Sequence, residues 1–120
     1  MLETLQNQKK RRQCLQNGRD MQARLLRKAL FDLDAEASYL ADRYNRAVAE
    51  DLVAAVWEGV ELLCRHPSIG RPGRVAGTRE LVITELPYIL PYRVRDDLVE
   101  IFRVFHTRQN LHGKLEHLSY

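Results

Sequence analysis

Apolar residues along the chain recur with two different periods. Between residues 29 and 44 they return after three or four positions, which is the spacing of one face of an α-helix. The apolar positions of this stretch are Leu30, Leu33, Ala37, Leu40, Ala41 and Tyr44. A second stretch with this period runs from residue 46 to residue 65 and stops before His66 and Pro67. The pattern predicts two amphipathic helices joined at Asn45, an αα-hairpin.

Strand-forming residues dominate the chain after residue 78. Three runs rich in Val, Ile, Thr, Tyr and Phe occupy residues 79–86, 88–95 and 98–106. The links between them contain one and two residues, which is too short for a crossover between parallel strands. The runs therefore predict a three-stranded antiparallel meander.

The middle run divides into an apolar and a basic face, because the side chains of a strand point alternately to its two sides. The apolar face carries Tyr88, Leu90, Tyr92 and Val94. The other face carries Ile89, Pro91, Arg93 and Arg95. Pro91 has no amide hydrogen, so its nitrogen is predicted to face outward or to lie at a bulge.

The last run is less clearly divided. Simple alternation places Phe102, Val104 and His106 on one face. It places Ile101, Arg103 and Phe105 on the other. Since both faces contain large apolar side chains, both are predicted to be covered.

The two patterns together define a fold class. A helical hairpin and a sheet bury their apolar faces most simply against each other. We therefore expect an α/β fold of the α+β kind, with the hairpin on a three- to four-stranded antiparallel sheet. Residues 21–28 form either a first strand or an early turn of the first helix. Residues 1–20 are interpreted as a basic N-terminal extension outside the core, and residues 21–120 as a single domain.

Charge is unevenly distributed. The formal net charge is +3, yet residues 1–28 carry +6, residues 29–66 carry −5 and residues 67–120 carry +2. Asp32, Asp34 and Glu36 lie near the start of the first predicted helix, where carboxylates favour the helix dipole. After residue 28 ten of the eleven cationic residues are Arg. Arg binds carboxylates and phosphates bidentately, although it also serves merely to keep a strand face solvated.

Several kinds of site are not indicated. The two cysteines, Cys14 and Cys64, are 50 positions apart in unlike contexts and are interpreted as free thiols. The histidines lack metal-ligand spacing, so no metal is expected, and no motif indicates a cofactor. No apolar run approaches the length of a membrane span, and no signal-peptide pattern is present. We therefore expect a cytoplasmic protein without a membrane partner.

A linked set of phrases resembles a known family. The phrases are ALFDLDAEASYLADRY, HPSIGRPG, GTREL, PYILPYRV and VEIFRVFHTR, in this order between residues 29 and 108. They resemble toxins of the RelE/ParE superfamily of type II toxin-antitoxin modules. The resemblance implies a RelE/ParE-like toxin fold and a cognate antitoxin as partner, in a module associated with plasmid stabilization and growth inhibition.

The resemblance leaves the target open. ParE-like members poison DNA gyrase, whereas RelE-like members cleave mRNA on the ribosome with a cluster of basic residues. The GRPGRVAGTREL and RVFH phrases are closer to the ParE side, and the lysines expected in the strands of a RelE-like nuclease are absent. Gyrase inhibition without catalysis is therefore the favoured hypothesis. The alternatives are a ribosome-dependent mRNA endonuclease and a non-catalytic antitoxin-binding module.

Each hypothesis assigns its own residues. A nuclease would draw its base and cations from Arg79, Arg93, Arg103 and His106. The residues expected to bind the target are Arg71, Arg74, Arg79, Arg93 and Arg108. An amphipathic, acidic antitoxin segment is expected to cover Arg95, Ile101, Arg103 and Phe105.

Overall fold

The computed structural model describes the backbone of residues 11–16, 19–83 and 86–107, and the side chains of residues 21–83 and 86–107. Two long helices lie between strands that form one sheet. The elements are β1 Arg11–Gln16, β2 Arg19–Leu25, α1 Arg27–Arg43, α2 Arg46–Arg65, β3 Arg71–Pro72, β4 Arg79–Ile83, β5 Tyr88–Arg95, β6 Leu98–Ile101 and β7 Phe105–His106.

The sheet has seven strands in the order β1-β2-β6-β5-β4-β3, with β7 also paired to β5. The predicted meander is confirmed, since β4, β5 and β6 pair antiparallel in sequence. The sheet as a whole is mixed, however, because β2 runs parallel to β6. The helical hairpin lies in the long connection that such a parallel pair requires.

The first strands extend the sheet beyond the prediction. Of the two alternatives for residues 21–28, the strand holds as far as Leu25, and α1 begins at Arg27. Residues 11–16, which were expected to lie in an extension, form β1 and pair antiparallel with β2. The rest of the predicted extension, residues 1–10 and 17–18, lies outside the described residues. The assignment of residues 21–120 to a single domain stays a prediction.

Local sequence explains the helix boundaries. The side chain of Asn45 accepts a hydrogen bond from the backbone N–H of Val48, 3.0 Å away, and so caps α2. Because α1 begins earlier than predicted, no acidic residue lies in its first turn. The dipole interpretation of Asp32 and Glu36 is therefore wrong. Both carboxylates instead bind residues of the sheet, as described below.

The hairpin and the sheet bury their apolar faces against each other, as predicted. Tyr88, Leu90 and Tyr92 belong to the same buried cluster as Ala37 of α1 and Leu63 of α2. Trp57 also packs in this core and is 2% exposed. The face of the sheet that points toward the helices is called the inner face below, and the opposite face is called the outer face.

The last strand of the meander is interrupted by a bulge. Tyr92 of β5 pairs with Ile101 of β6, and Ile89 of β5 pairs with Phe105 of β7. Between these two pairs β5 advances by three residues, whereas the chain opposite it advances by four. One extra residue is therefore inserted between β6 and β7. The carbonyl of Pro91 accepts from the N–H of Phe102, so the side of Pro91 that lacks a donor faces the bulge, as predicted.

The bulge changes the side-chain faces predicted for the last run. Ile101 and Val104 both lie in the core cluster beneath the helices, whereas Phe102 and Phe105 are buried outside this cluster. Simple alternation cannot place residues 101 and 104 on one face, because three positions separate them. The extra residue corrects the phase.

The interpretation of the cysteines as free thiols is wrong for Cys64, which is disulfide-bonded. Its Sγ lies 3.5 Å from the carbonyl oxygen of Met21. A disulfide sulfur carries no hydrogen, so this approach is a packing contact. The only other cysteine in the sequence is Cys14, whose backbone on β1 pairs with Met21. Strand pairing thus joins regions that looked unrelated in sequence.

Candidate functional site

Three arginines on the outer face surround one buried carboxylate. Glu100 of β6 accepts a hydrogen bond from Nε of Arg93, 2.9 Å away, on the neighbouring strand β5. Its Oε1 also lies 3.3 Å from Arg95, and its Oε2 lies 3.5 Å from Arg24 of β2. These four residues are called the outer arginine cluster. Three cations around one anion leave the cluster with a formal charge of +2.

The cluster controls the ionisation of Glu100. Burial alone would raise the pKa of its carboxyl group, because it disfavours the charged form. The hydrogen bond from Arg93, the charges of Arg95 and Arg93, and the hydrogen bond from Arg24 outweigh burial, and they hold the pKa of Glu100 below its usual value. The carboxylate is 4% exposed, whereas the side chains of Arg24 and Arg95 are 37% and 60% exposed. The anion is therefore buried and the cations face solvent.

A second ion pair lies beside the cluster on the outer face. Arg71 of β3 donates from Nε to Oε1 of Glu80 on β4, at 3.1 Å. The other carboxylate oxygen of Glu80 is buried and has no hydrogen-bond partner among the residues that the structure describes. Arg71 is more than half exposed. This pair adds a neutral neighbour to the positively charged cluster.

Residues 68–78, before β4, are called the glycine-rich loop, and a tyrosine ties this loop to the sheet. The hydroxyl of Tyr92 donates to the carbonyl of Pro67 and accepts from the N–H of Gly70, at 2.7 and 2.9 Å. A Cβ on residue 70 would lie 2.6 Å from that hydroxyl, so only glycine permits this approach. Arg79 also donates to the carbonyls of Ser68 and Gly70. Burial raises the pKa of Tyr92, partly offset by Gly70 and Arg79.

Arg103 is bound to helix α1. Its guanidinium makes two hydrogen bonds to the carboxylate of Asp32, at 2.7 and 3.1 Å. Asp32 also accepts from the backbone N–H of Val104 at 3.1 Å, and the guanidinium lies 4.8 Å from the ring centroid of Phe105. The Arg103 side chain is 18% exposed. This arrangement anchors the bulge between β6 and β7 to α1.

The four candidate catalytic residues are not brought together. Arg79 and His106 pair with Tyr92 and Tyr88 of β5, four residues apart, which separates them by about 13 Å along the strand. Arg93 lies on the opposite face of the sheet. Arg103, the fourth candidate, is occupied by Asp32. Arg79 and Arg93 are therefore not grouped with His106 around one point, and the guanidinium of Arg103 is held by a carboxylate.

The predicted target-binding residues are only partly grouped. Arg71 and Arg93 share the outer face and are both solvent-accessible. Arg79 lies on the inner face and binds loop carbonyls. Arg74 is exposed in the glycine-rich loop, and Arg108 lies outside the described residues. Arg71 and Arg93 thus share the outer face with Arg24 and Arg95, and the assignment of target-binding residues stays a prediction.

The predicted antitoxin-binding residues do not form one surface. Ile101 is fully buried beneath the helices, and Phe105 is 5% exposed. Arg103 is bound to Asp32. Arg95 alone of the four has a largely exposed side chain. A partner could not contact Ile101 on this surface, because its pairing with the inward-facing Tyr92 places it in the core.

An apolar groove lies elsewhere, between α2 and β4. It has a volume of about 180 Å³. Its apolar lining consists of Ala55, Gly59, Leu62, Leu81, Val82 and Ile83. Because β3 pairs only with Arg79 and Glu80, the outer edge of β4 beyond Glu80 has no paired strand among the described residues. An open strand edge beside an apolar groove can accept an additional peptide segment.

Sequence reasoning missed Glu100 and Arg24. The two-residue link after Arg95 contains a signal for Glu100, because a tight hairpin pairs Arg95 with Leu98 and hence Arg93 with Glu100. No comparable signal identifies Arg24. Its strand β2 pairs with β6 in parallel, and the long connection between these two strands gives no local indication of the register.

The described residues offer neither a metal site nor a membrane-spanning helix. These contain no group of three or more His, Cys, Asp or Glu side chains placed to hold a metal ion. None of the helices described is both long and apolar enough to cross a membrane.

Comparisons with known proteins agree on one family. Residues 23–111 match the family described as "ParE toxin of type II toxin-antitoxin system, parDE". Y4kP of Sinorhizobium fredii (strain NBRC 101917 / NGR234), a candidate toxin by its name, is 42% identical over 82 residues, or 68% of this chain and 83% of that protein. A chain from the chromosomal ParDE TA system of P. aeruginosa is 29% identical, with a TM-score of 0.65, and the match covers 70% of this chain and 92% of that one.

Proposed function

Because the chain belongs to the ParE toxin family of type II toxin-antitoxin systems, we propose that it arrests growth by poisoning DNA gyrase. The observation that carries this proposal is the separation of Arg79 and Arg93 from His106 across the sheet, together with the binding of Arg103 to Asp32. An RNA-cleaving toxin needs a base and a phosphate-stabilising cation at one reacting centre. A toxin that acts by binding needs no such convergence.

The outer arginine cluster is the proposed target contact. Arg24, Arg93 and Arg95 expose their guanidinium groups on one face, and a single buried carboxylate orients them. Guanidinium groups bind carboxylates or phosphates of a partner through paired hydrogen bonds. Arg71 extends this surface toward the glycine-rich loop. Gyrase presents carboxylates and its bound DNA presents phosphates. Because this target is cytoplasmic, the proposed location of the toxin is the cytoplasm.

A cognate antitoxin is the second proposed partner. We assign its docking site to the groove between α2 and the open edge of β4, rather than to the region of Ile101. An amphipathic segment of the antitoxin would place apolar side chains against Leu62 and Val82, both of which are more than one-third exposed. Arg95 remains available for acidic residues of the same partner.

The experiment compares the two targets in one preparation. Purified protein is added to gyrase in supercoiling and DNA-cleavage assays, and to translating ribosomes whose mRNA 5′ ends are mapped. We expect inhibited supercoiling or trapped cleaved DNA, and no new mRNA ends. The neighbouring gene product should reverse the inhibition.

His106→Ala distinguishes the mechanisms further. If His106 were a general base, a folded variant would lose about a hundredfold or more in cleavage rate. We expect instead that the variant inhibits gyrase whenever it is folded. Codon-positioned mRNA cuts that disappear in folded His106→Ala protein would overturn the proposal in favour of the ribosome-dependent nuclease.

A further inference from the structure

A second pocket, with a volume of about 250 Å³, opens between the helical hairpin and the strands β5 and β7. Aliphatic side chains of both helices form part of its wall. The remaining lining includes two carboxylates, three tyrosines and one histidine, namely Glu36, Asp51, Tyr39, Tyr44, Tyr88 and His106. The pocket is distinct from the outer arginine cluster and from the groove beside β4, because it shares no residue with either.

The two carboxylates in this pocket have no cationic partner in the part of the chain that the structure describes. Among the described residues neither Glu36 nor Asp51 forms an ion pair, whereas Asp32, Glu80 and Glu100 each pair with arginine. Within this set, Glu36 accepts one hydrogen bond, from the hydroxyl of Tyr88 at 2.8 Å. The pocket lining therefore carries two negative charges on a chain whose formal charge is +3.

The position of Glu36 is set by its neighbours. Burial raises the pKa of Tyr88, and the hydrogen bond to Glu36 raises it further, so this hydroxyl remains a donor. The Tyr88 ring also packs edge-on against His106, with ring centroids 5.2 Å apart. One oxygen of Glu36 is thus held by Tyr88, which lines the pocket. Its other oxygen accepts no hydrogen bond from a described residue.

Two tyrosines at the pocket are unusually exposed. Tyr39 and Tyr44 are 57% and 60% exposed. The face of an aromatic ring attracts a guanidinium group, and Arg43 lies 5.3 Å from the ring centroid of Tyr44. Arg93 makes the same kind of contact with Phe102 at 5.2 Å. Guanidinium stacking on aromatic rings is therefore a recurrent contact of this chain.

We propose that this pocket receives an arginine side chain of a partner protein. The two carboxylates, which form no ion pair among the described residues, supply bidentate acceptors for the guanidinium, and the exposed ring of Tyr39 supplies a stacking surface. A volume below the range of about 300–1,000 Å³ for small-molecule sites suits a single long side chain. Arginine fits better than lysine, because its planar group both stacks and binds a carboxylate in two places. The proposal does not depend on which target the toxin poisons.

The test uses small probes and the whole chain. N-acetyl-arginine methylamide, its lysine counterpart and the uncharged citrulline analogue are titrated into labelled protein followed by NMR. We expect the arginine probe to shift resonances of Tyr39, Tyr44 and Asp51, and to bind more tightly than the lysine probe. The citrulline probe should produce no saturable shift, because it lacks the charge.

Variants locate the site. Asp51→Asn and Glu36→Gln should each weaken arginine binding by about threefold or more, since each removes one charge but keeps the side-chain shape. Glu36→Gln still offers an oxygen to Tyr88. Asp42→Asn, which removes an exposed carboxylate of α1 outside the pocket lining, is the matched control and should leave binding unchanged.

Four outcomes would overturn the proposal. They are the absence of any saturable shift with the arginine probe, equal binding of the citrulline probe, shifts confined to residues outside the pocket, and unchanged binding in a folded variant that combines Asp51→Asn with Glu36→Gln. Lysine binding as tight as arginine binding would overturn the choice of arginine. The NMR spectrum of each variant verifies its fold before the titration.

Discussion

Arg93 lies on β5 and Arg103 lies at the bulge between β6 and β7, and their surroundings differ sharply. Within the described residues Arg103 shares Asp32 with no other cation; it makes two hydrogen bonds to this carboxylate and is 18% exposed. Arg93 shares Glu100 with Arg24 and Arg95. The first pair is electrically neutral and shielded from solvent. The second group keeps an excess of two positive charges at the surface.

The comparison shows that the ratio of cations to anions separates an arginine whose charge is neutralised within the fold from one whose charge remains at the surface. A one-to-one pair satisfies its donors internally and leaves little to offer a partner. In a three-to-one group, the shared carboxylate cannot neutralise every guanidinium, so a partner anion gains favourable contacts. Arg residues of either kind look identical in the sequence. Three substitutions test this distinction.

The largest effect on stability is expected from Arg103→Gln. The substitution leaves the half-buried Asp32 without its cation, and we expect a loss of about 3 kcal/mol in the free energy of unfolding. Urea unfolding measures it. The matched control is Arg46→Gln, whose exposed pair with Glu50 on the same helix is expected to contribute about 0.5 kcal/mol or less. Equal losses in the two variants would contradict the structural role of Arg103.

A smaller loss, with a distinct pH dependence, is expected from Glu100→Gln. At neutral pH the variant should lose about 2 kcal/mol, because three guanidinium groups lose their shared anion. The pKa of Glu100 is lowered in the folded protein, so its contribution is present at neutral pH. That contribution disappears as pH falls below about 4 and through the lowered folded-state pKa.

The pH dependence is measured by urea unfolding between neutral pH and pH 3. The stability difference between wild type and Glu100→Gln should shrink as the solution becomes acidic. Glu61→Gln, which removes an exposed carboxylate paired with Arg65, is the control and should track the wild type. A difference that stays constant with pH would show that ionisation of Glu100 does not stabilise the fold.

The smallest effect on stability is expected from Arg95→Ala, within about 0.5 kcal/mol, because the side chain is largely exposed. Its effect on target binding should be larger. We expect severalfold weaker gyrase inhibition and a weaker dependence of inhibition on salt. Arg46→Ala removes an equally cationic exposed side chain from α2 and controls for net charge. Inhibition that is unchanged in Arg95→Ala would remove this residue from the proposed contact.

Local patterns predicted much of the fold. The helix from Arg46 to Arg65 matches the predicted bounds, and the middle strand from Tyr88 to Arg95 does as well. These elements have strong periodicity and clear end signals, namely Asn45 before the helix and short links around the strand. The prediction was weakest for residues 11–25, which form β1 and β2. Their polar side chains and central Asn17-Gly18 break indicated no core-facing pattern.

The candidate site was less predictable than the fold. Arg93 and Arg71, which were predicted to bind the target, share the solvent-accessible outer face. Ile101 and Arg103, which were predicted to bind the antitoxin, are buried in the core and bound to Asp32, respectively. Ile101 lies in the core because it pairs with the inward-facing Tyr92. Arg103 is misplaced because the one-residue bulge shifts the phase of every side chain after Ile101. Nothing in the local pattern of the last strand reveals the position of such a bulge. Pro91 gives only the region in which one could occur.

The sequence by itself determined the helical hairpin, the antiparallel meander and the family, because periodicity, short links and linked motifs are properties of neighbouring residues. Only the tertiary structure decided which arginine is structural and which is exposed. Asp32 and Arg103 lie 71 positions apart, and Arg24 reaches Glu100 through a parallel strand pair. The physical reason is that pairing between distant segments sets the local ratio of cations to anions, and no local sequence pattern contains that ratio.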